Sequence, residues 1–401
     1  MDFEYSEEQK QLADSLQKYL AANYGFEARK KTLISDAGFN PAAWDAFAEM
    51  GLTALPFAES AGGFGGGAVD MMAAMEAFGE ALVIEPVLDH VALASRLVAS
   101  TGTAAQCDAV LPSLLDGSGK ATFAYLERGR RYTLEPVNTV VTKAPGGGDT
   151  PGWQLDGEKV VVMGAAAADV LVVSAQISHG PGCPVSGGIG LFLVDRNAPG
   201  VHVSPYRTVD GQRAADVSFN GVILPAAALL GGPGLVADSL GVLTNALPQI
   251  EEAVDFATAL LCADAVGAMK SATDATLEYT QSRKQFGIAI ASFQSLQHRM
   301  VNMFMACEEA RSMAISAACG VDAARGAVDE AAIHARKKAV SAAMVRVADC
   351  ARLVSQESVQ LHGGMGMTEE MKVSHTFRRL TMLAQRFGDA DHHLARYAAL
   401  N

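Results

Sequence analysis

A change of pattern near Gly117-Ser118-Gly119, reversed near Gly231-Gly232-Pro233-Gly234, limits what this chain can fold into more than any other feature. Between about 120 and 232, short β-type runs alternate with turns. Val160-Val161-Val162, Val170-Leu171-Val172-Val173, Ile189 to Val194 and Val217-Ser218-Phe219 read as strands. Gly146-Gly147-Gly148, Asp156-Gly157, Gly180-Pro181-Gly182 and Asp210-Gly211 punctuate them. Apolar strands with turns at this spacing predict a small sandwich or barrel.

Both flanks carry helical periodicity. Ser6 followed by Gln9 is a capping-box pattern, and Leu12, Leu16 and Leu20 then repeat four residues apart as one apolar stripe. Further helices are expected over 42–50, 68–82, 91–100 and 104–115, with a Gly-rich loop at Gly62-Gly63-Phe64-Gly65-Gly66-Gly67. After the β-type block, long Ala-rich helices are expected at about 238–283, 292–319, 327–361 and 368–386, and from about 389. Their small side chains allow close packing as in a four-helix bundle. The fold class expected is mainly α with a central β domain. An N-terminal helical domain covers 1–118, a β-sandwich or barrel 119–232 and a C-terminal helical bundle 233–401.

Composition excludes several functions. A formal charge of −13 argues against nucleic acid or an anionic membrane as the main partner. Cys107, Cys183, Cys262, Cys307, Cys319 and Cys350 form no C-x-x-C pair, so they read as reduced thiols of a cytoplasmic enzyme and not as metal ligands. Met1 to Glu8 is too polar for a signal peptide, and no long uncharged apolar run predicts a membrane span. Gly63-Phe64-Gly65-Gly66-Gly67-Ala68 satisfies G-x-G-x-x-A, but neither a strand nor a βαβ unit surrounds it, so the dinucleotide-fold reading fails. Neighbours on a helix such as His392-His393 point about 100° apart, which suits separate structural roles better than one metal.

Two C-terminal segments carry more information. Tyr279-Thr280-Gln281-Ser282-Arg283-Lys284-Gln285-Phe286-Gly287 precedes Phe293-Gln294, and Gln360-Leu361-His362-Gly363-Gly364-Met365-Gly366-Met367 leads to Thr368, read as the start of the next helix. Each has a plain structural reading, a charged C-cap and a glycine-rich turn. Each also suits a ligand: Arg for phosphate, and glycines for close backbone approach to an anionic or flat group.

In this order, behind this domain pattern, the segments resemble the acyl-CoA dehydrogenase family. The resemblance extends to Phe3–Leu20, the Pro56/Gly62-Gly63 loop, Glu76-Ala77-Phe78-Gly79, Trp153–Lys159 and Asp216–Pro225. It implies FAD as cofactor and α,β-desaturation of an acyl-CoA thioester, with electrons passing to an electron-transfer flavoprotein. By match of motif, Arg283 and Phe286 would meet the pyrophosphate and adenine side of a neighbouring subunit's FAD. Gln294 would lie on the adenosine side, and Gln360, Gly363 and Gly364 would line the pyrophosphate. A cofactor shared in this way implies a homo- or hetero-tetramer.

The sequence departs from the family at the catalytic base. Where most members carry a glutamate, this chain has Phe387 or Gly388, and at the alternative family position on the first C-terminal helix it has Ala257. Asp255 and Asp391 are the candidate bases. The flavin-side loop reads Leu126-Glu127-Arg128-Gly129, keeping an acid and a glycine, and the strand that usually stacks near the flavin reads Val161-Val162-Met163. One-sided loss of this kind resembles the small subunit of heteromeric pimeloyl-CoA and steroid side-chain dehydrogenases. The expectations are therefore a dehydrogenase subunit, either self-sufficient with Asp255 or Asp391 as base or paired with an unlike catalytic chain, a largely non-catalytic subunit completing a partner's FAD site, or an acyl-CoA oxidase.

Overall fold

The computed structural model describes residues 6–35, 37–144, 152–178, 186–231 and 244–400. Six helices come first: α1 (Glu7–Asn23), α2 (Phe26–Ile34), α3 (Pro41–Glu49), α4 (Ala68–Ala81), then α5 (Arg96–Thr101), entered through a π-helical turn Leu88–Ser95, and α6 (Ala104–Leu115). Eight strands follow: β1 (Ala121–Ala124), β2 (Val140–Lys143), β3 (Trp153–Met163), β4 (Val170–Ser178), β5 (Ser186–Asp195), β6 (Val201–Arg207), β7 (Arg213–Leu224) and β8 (Thr244–Asn245). The C-terminal part holds α7 (Leu247–Ser282), the short strands β9 (Lys284–Gln285) and β10 (Ile288–Ala289), α8 (Gln294–Ala323), α9 (Glu330–His362), α10 (Lys372–Leu383) and α11 (Ala390–Ala399). The expected mainly α chain with a central β domain is what forms. The turns expected at 146–148 and 180–182, and the first residues of the helix expected from 238, lie outside the described residues.

The chain divides into two compact units. The first joins residues 1–34, 66–84 and 258–401. Here α1 starts with the expected capping box: the Gln9 N–H donates to the Ser6 hydroxyl, and the Ser6 N–H donates to the Gln9 amide oxygen. Leu16 and Leu20 are buried, while Leu12 is only half-buried. Helices α4 and α7 meet backbone to backbone. A Cβ on Gly79 would lie 1.9 Å from the Asp264 carbonyl oxygen, and one on Gly267 would lie 1.8 Å from that of Glu76. Only glycine at both places lets the two backbones touch. Asp264 forms a buried ion pair with Arg379 from α10.

The second unit joins 35–65 and 85–257. Its sheet runs β6-β7-β3-β2-β4-β5-β8, with β1 also pairing on β4. Most pairings are antiparallel; β1–β4, β2–β4 and β5–β8 are parallel. Val141, Leu155, Leu171, Phe192, Val217 and Phe219 belong to its apolar core. The β3–β7 ladder shifts register between Leu155 and Gly157 and again between Lys159 and Val162, which curls the sheet. The segment expected as one helix at 91–100 is π-helical up to Ser95 before becoming α-helical.

His90 in the π-helical turn anchors that turn to the sheet. Its Nε2–H donates to the Leu114 carbonyl at 2.8 Å, Nδ1 accepts from the Ala121 N–H at 3.0 Å, and its ring meets Trp44 edge-on. Burial pushes the pKa down to about 4 from 6.5. The unfolded chain takes up this proton below 6.5 and the folded chain resists it down to about 4, so stability held above 6.5 is lost as pH falls through that window. The loss from this group is expected at about 1.4 kcal/mol per pH unit. Urea unfolding of wild type and His90→Gln at pH 7, 6 and 5 checks this. The variant, less stable at pH 7, should lose less on acidification; parallel losses would contradict the assignment.

Candidate functional site

The first unit gathers the segment after α7, the start of α8 and the end of α9. Immediately beyond α7, β9 and β10 form a two-residue hairpin whose turn is Phe286-Gly287. Both turn residues have positive φ, +55° and +84°, as a type I′ turn requires. Glycine adopts this conformation freely, whereas phenylalanine is strained in it by about 1–2 kcal/mol. The Phe286 ring is 92% exposed, and its neighbour is the edge of Phe293. Arg283 is also exposed, its carbonyl accepting from the Ile290 N–H, and Gln294 stands exposed at the first position of α8. A strained, exposed aromatic beside a guanidinium contributes little to folding and suits a contact outside the chain.

At the end of α9, Gln360 is exposed and Gly363 takes φ +61° to enter a 3-10 turn, Gly363–Met367. Among the described residues, apart from the adjoining backbone, no atom lies within 4 Å of where a Cβ on Gly363 or Gly364 would stand, so this backbone is open to an approaching group. Thr368 does not begin the next helix as expected. Its N–H and hydroxyl both donate to the Met365 carbonyl, closing the turn, and α10 starts only at Lys372. Local hydrogen bonding of a threonine side chain competes with helix initiation here.

Three contacts hold these segments together. The Thr276 and Ser358 hydroxyls lie 2.8 Å apart. One turn further along, the Tyr279 ring stacks on His362, centroids 4.4 Å apart and planes 22° from parallel. Arg299 from α8 pairs with Glu357 from α9 at 2.5 Å. Arg283, Phe286, Gln294, Gln360, Gly363 and Gly364 thereby come together at one end of the bundle. The sequence reading missed these joints. Their only local signal was position: Tyr279 lies one helical turn before Arg283, and His362 directly precedes the glycines.

The carboxylates are placed differently. Asp255 is 1% exposed inside α7 and belongs to the second unit. Asp391, in the first unit, is exposed on α11 and borders a groove of about 610 Å³ that Arg352, Gln356 and Gln385 also line. Neither family position for the base accepts an acid easily. Phe387 is buried with φ +59°, and Gly388 has φ +133°, where a Cβ would sit 2.5 Å from the His392 ring. Ala257 is fully buried. His392 and His393 meet edge-on, and among the described residues no group of three His, Cys, Asp or Glu could hold a metal ion.

On the second unit, the acid of the Leu126-Glu127-Arg128-Gly129 loop turns inward. Glu127 accepts from the N–H groups of Val137, Asn138 and Thr139 and pairs with Lys159 at 3.1 Å. Burial alone would raise its carboxyl, but Lys159 and the three amides outweigh this and hold it at about 2. Burial also draws Lys159 down to about 8, against the pull of Glu127. This pair is structural. Outside it, Arg128 bridges Glu158 and Asp216, and Asp216 also receives the Tyr206 hydroxyl and the Val161 N–H. Val161 has φ +52°, rare for a β-branched residue, and is partly exposed among these charges.

Three family models match in succession: the acyl-CoA dehydrogenase N-terminal domain over 6–118, its middle domain over 122–222 and its C-terminal domain over 247–399. The probable acyl-CoA dehydrogenase YngJ of Bacillus subtilis (strain 168) is 28% identical over 383 residues, 94% of this chain and 93% of that protein. Among solved structures, the ChsE4-ChsE5 complex from Mycobacterium tuberculosis superposes with a TM-score of 0.83 at 23% identity, covering 100% of this chain and 98% of that one. Butyryl-CoA dehydrogenase from Megasphaera elsdenii gives 0.82 at 23%, covering 100% and 99%. At these identities the structural likeness speaks for the fold.

Because the hairpin contributes little to the fold, Phe286→Gly should keep stability or raise it by up to about 1 kcal/mol, and Arg283→Ala should change it by no more than about 0.5 kcal/mol. Urea unfolding of the purified variants measures this. A loss above about 1.5 kcal/mol in either would make the hairpin part of the packing instead of a contact surface.

Proposed function

This chain belongs to the acyl-CoA dehydrogenase family, and from that premise we propose that it is one subunit of an FAD-dependent enzyme desaturating an acyl-CoA, gripping the dinucleotide half of the cofactor. Members of the family are FAD-dependent oxidoreductases. The observation that carries the proposal is the strained, exposed Phe286 hairpin beside Arg283 and the open Gly363-Gly364 turn. These residues fit such a group. The planar guanidinium of Arg283 can pair with two phosphate oxygens at once. The bare backbone at Gly363 and Gly364 leaves room for a pyrophosphate to come close, and Phe286 offers an aromatic face to a purine. Gln294 and Gln360 add amide donors and acceptors at the rim.

When bound, FAD supplies the hydride acceptor for the β-carbon while a carboxylate removes the α-proton. This chain's own residues serve that chemistry unevenly. Arg283 and the glycine turn bind and orient. The proton is the difficulty: Asp255 is buried and Asp391 faces an open groove, while both family positions for the base carry residues without a carboxylate. We therefore favour an unlike, homologous partner chain that supplies the base, in a hetero-tetramer whose FAD this chain completes. The ion-paired Arg128 and strained Val161, on the loop and strand that face the flavin in the family, support the same reading. So does the exposed stripe Val301, Phe304 and Met305 on α8, an apolar face suited to a second subunit. A self-sufficient homo-tetramer using Asp255 or Asp391 is the second reading, and no observation here favours an oxidase. Electron-transfer flavoprotein as acceptor, a cytoplasmic location and the domain limits 1–118, 119–232 and 233–401 belong to the same proposal. Among the described residues no helix is long and apolar enough to cross a membrane.

Flavin colour decides between the two main readings. The chain purified alone is expected to hold little flavin and to leave an acyl-CoA unchanged, and to form a yellow, active complex with a base-bearing homologue. Yellow protein that bleaches on adding acyl-CoA without a partner would instead establish self-sufficiency.

A further inference from the structure

The clasp contains a residue whose role no family motif explains. His362 is 3% exposed, stacks on Tyr279 and directly precedes Gly363. Its Nδ1 lies 2.8 Å from the Ser358 carbonyl oxygen. A carbonyl only accepts, so Nδ1 carries the hydrogen. Nε2 is buried and has no hydrogen-bond partner among the described residues. A proton there would leave a buried N–H unsatisfied, and burial accordingly lowers the pKa of this histidine.

We propose that His362 is the positioning residue of the clasp: locked as the neutral Nδ1–H tautomer and stacked on Tyr279, it fixes the Gly363-Gly364 turn in register with Arg283. The inference rests on the FAD reading above and adds to it how the two halves of the grip are aligned. Tyr279 is one turn before Arg283 on the same face, and the Arg283 N–H donates to the Tyr279 carbonyl at 2.8 Å. The Thr276–Ser358 hydroxyl contact forms a lower rung and Tyr279–His362 an upper one. Two rungs a turn apart fix both the slide and the rotation of α7 against α9. The upper rung lies one helical turn before Arg283 on α7 and next to Gly363 on α9, so the relative position of guanidinium and glycine turn depends on it most. A histidine that merely filled the core would be replaceable by any apolar side chain of similar volume without effect on a ligand.

The test uses the full chain in whichever assembly holds FAD, at pH 8, where the histidine is neutral in folded and unfolded forms alike. FAD affinity is read from flavin fluorescence, and the thermal midpoint separately, for wild type, His362→Phe, His362→Leu, Tyr279→Leu, the double leucine variant and Arg283→Ala. His362→Phe keeps a ring to stack and should bind FAD within about threefold of wild type, whereas His362→Leu and Tyr279→Leu should each weaken binding by about tenfold. The double variant should be no weaker than either single, because both remove one contact. If both leucine variants bind FAD like wild type, or their losses simply add, while Arg283→Ala weakens it, the positioning role is wrong and the clasp stands. If Arg283→Ala also binds FAD normally, the clasp itself is wrong. Should His362→Leu melt early, Tyr279→Leu, which alters a half-buried residue at the same contact, decides the question in its place.

Discussion

Long-range contact between α7 and its neighbours is the constraint on which the candidate site depends. Gly267 and Gly79 let α7 and α4 touch backbone to backbone, and the buried Asp264–Arg379 pair ties the same stretch of α7 to α10. With the helix fixed there, Thr276–Ser358 and Tyr279–His362 set its last turns against α9. The exposed groups beyond these joints, Arg283, Phe286 and the glycine turn, are held by contacts in which they take little part themselves. Such a division allows a surface group to be placed accurately without being buried, which is what a shared binding surface requires.

Local features were legible in the sequence because local physics determines them. The Ser6–Gln9 capping box, the Leu16 and Leu20 core positions and the strands around Val170, Ile189 and Val217 follow from spacing alone. What escaped the reading was decided at a distance. The π-helical turn at Leu88–Ser95 shows no periodicity that separates it from α-helix; it is held by His90 bonding to Leu114 and Ala121. Thr368 closes a turn instead of starting a helix because its hydroxyl finds the Met365 carbonyl first. Glu127 reads in the sequence as an acid retained in a loop, but only the fold brings Lys159 and three amides around it. The candidate site divides in the same way. Arg283, Phe286, Gln294, Gln360, Gly363 and Gly364 were legible as motif residues, while the Tyr279–His362 joint spans 83 positions and leaves no sequence pattern.

Sequence and geometry point in one direction on the base. A residue can be absent from its family position because its role moved nearby, or because the local structure has no room for it. Gly388 belongs to the second case: its φ of +133° and the closeness of the His392 and His393 rings leave no space for a side chain. At Ala257 the buried methyl does the same by filling its place in the core. On the proposed reading, a base absent from both family positions beside an exposed grip is the asymmetry expected of a chain that completes a neighbour's cofactor site.

On the proposed function, this grip closes on the dinucleotide. Backbone amide hydrogen exchange measured on the flavin-holding assembly, with FAD present and after its removal, tests it most directly. Exchange across the Arg283–Gly287 hairpin and the Gln360–Gly366 turn should slow markedly with FAD bound, and more so than at other turns of the same unit. Unchanged exchange at both segments in a protein that demonstrably holds FAD would contradict the account.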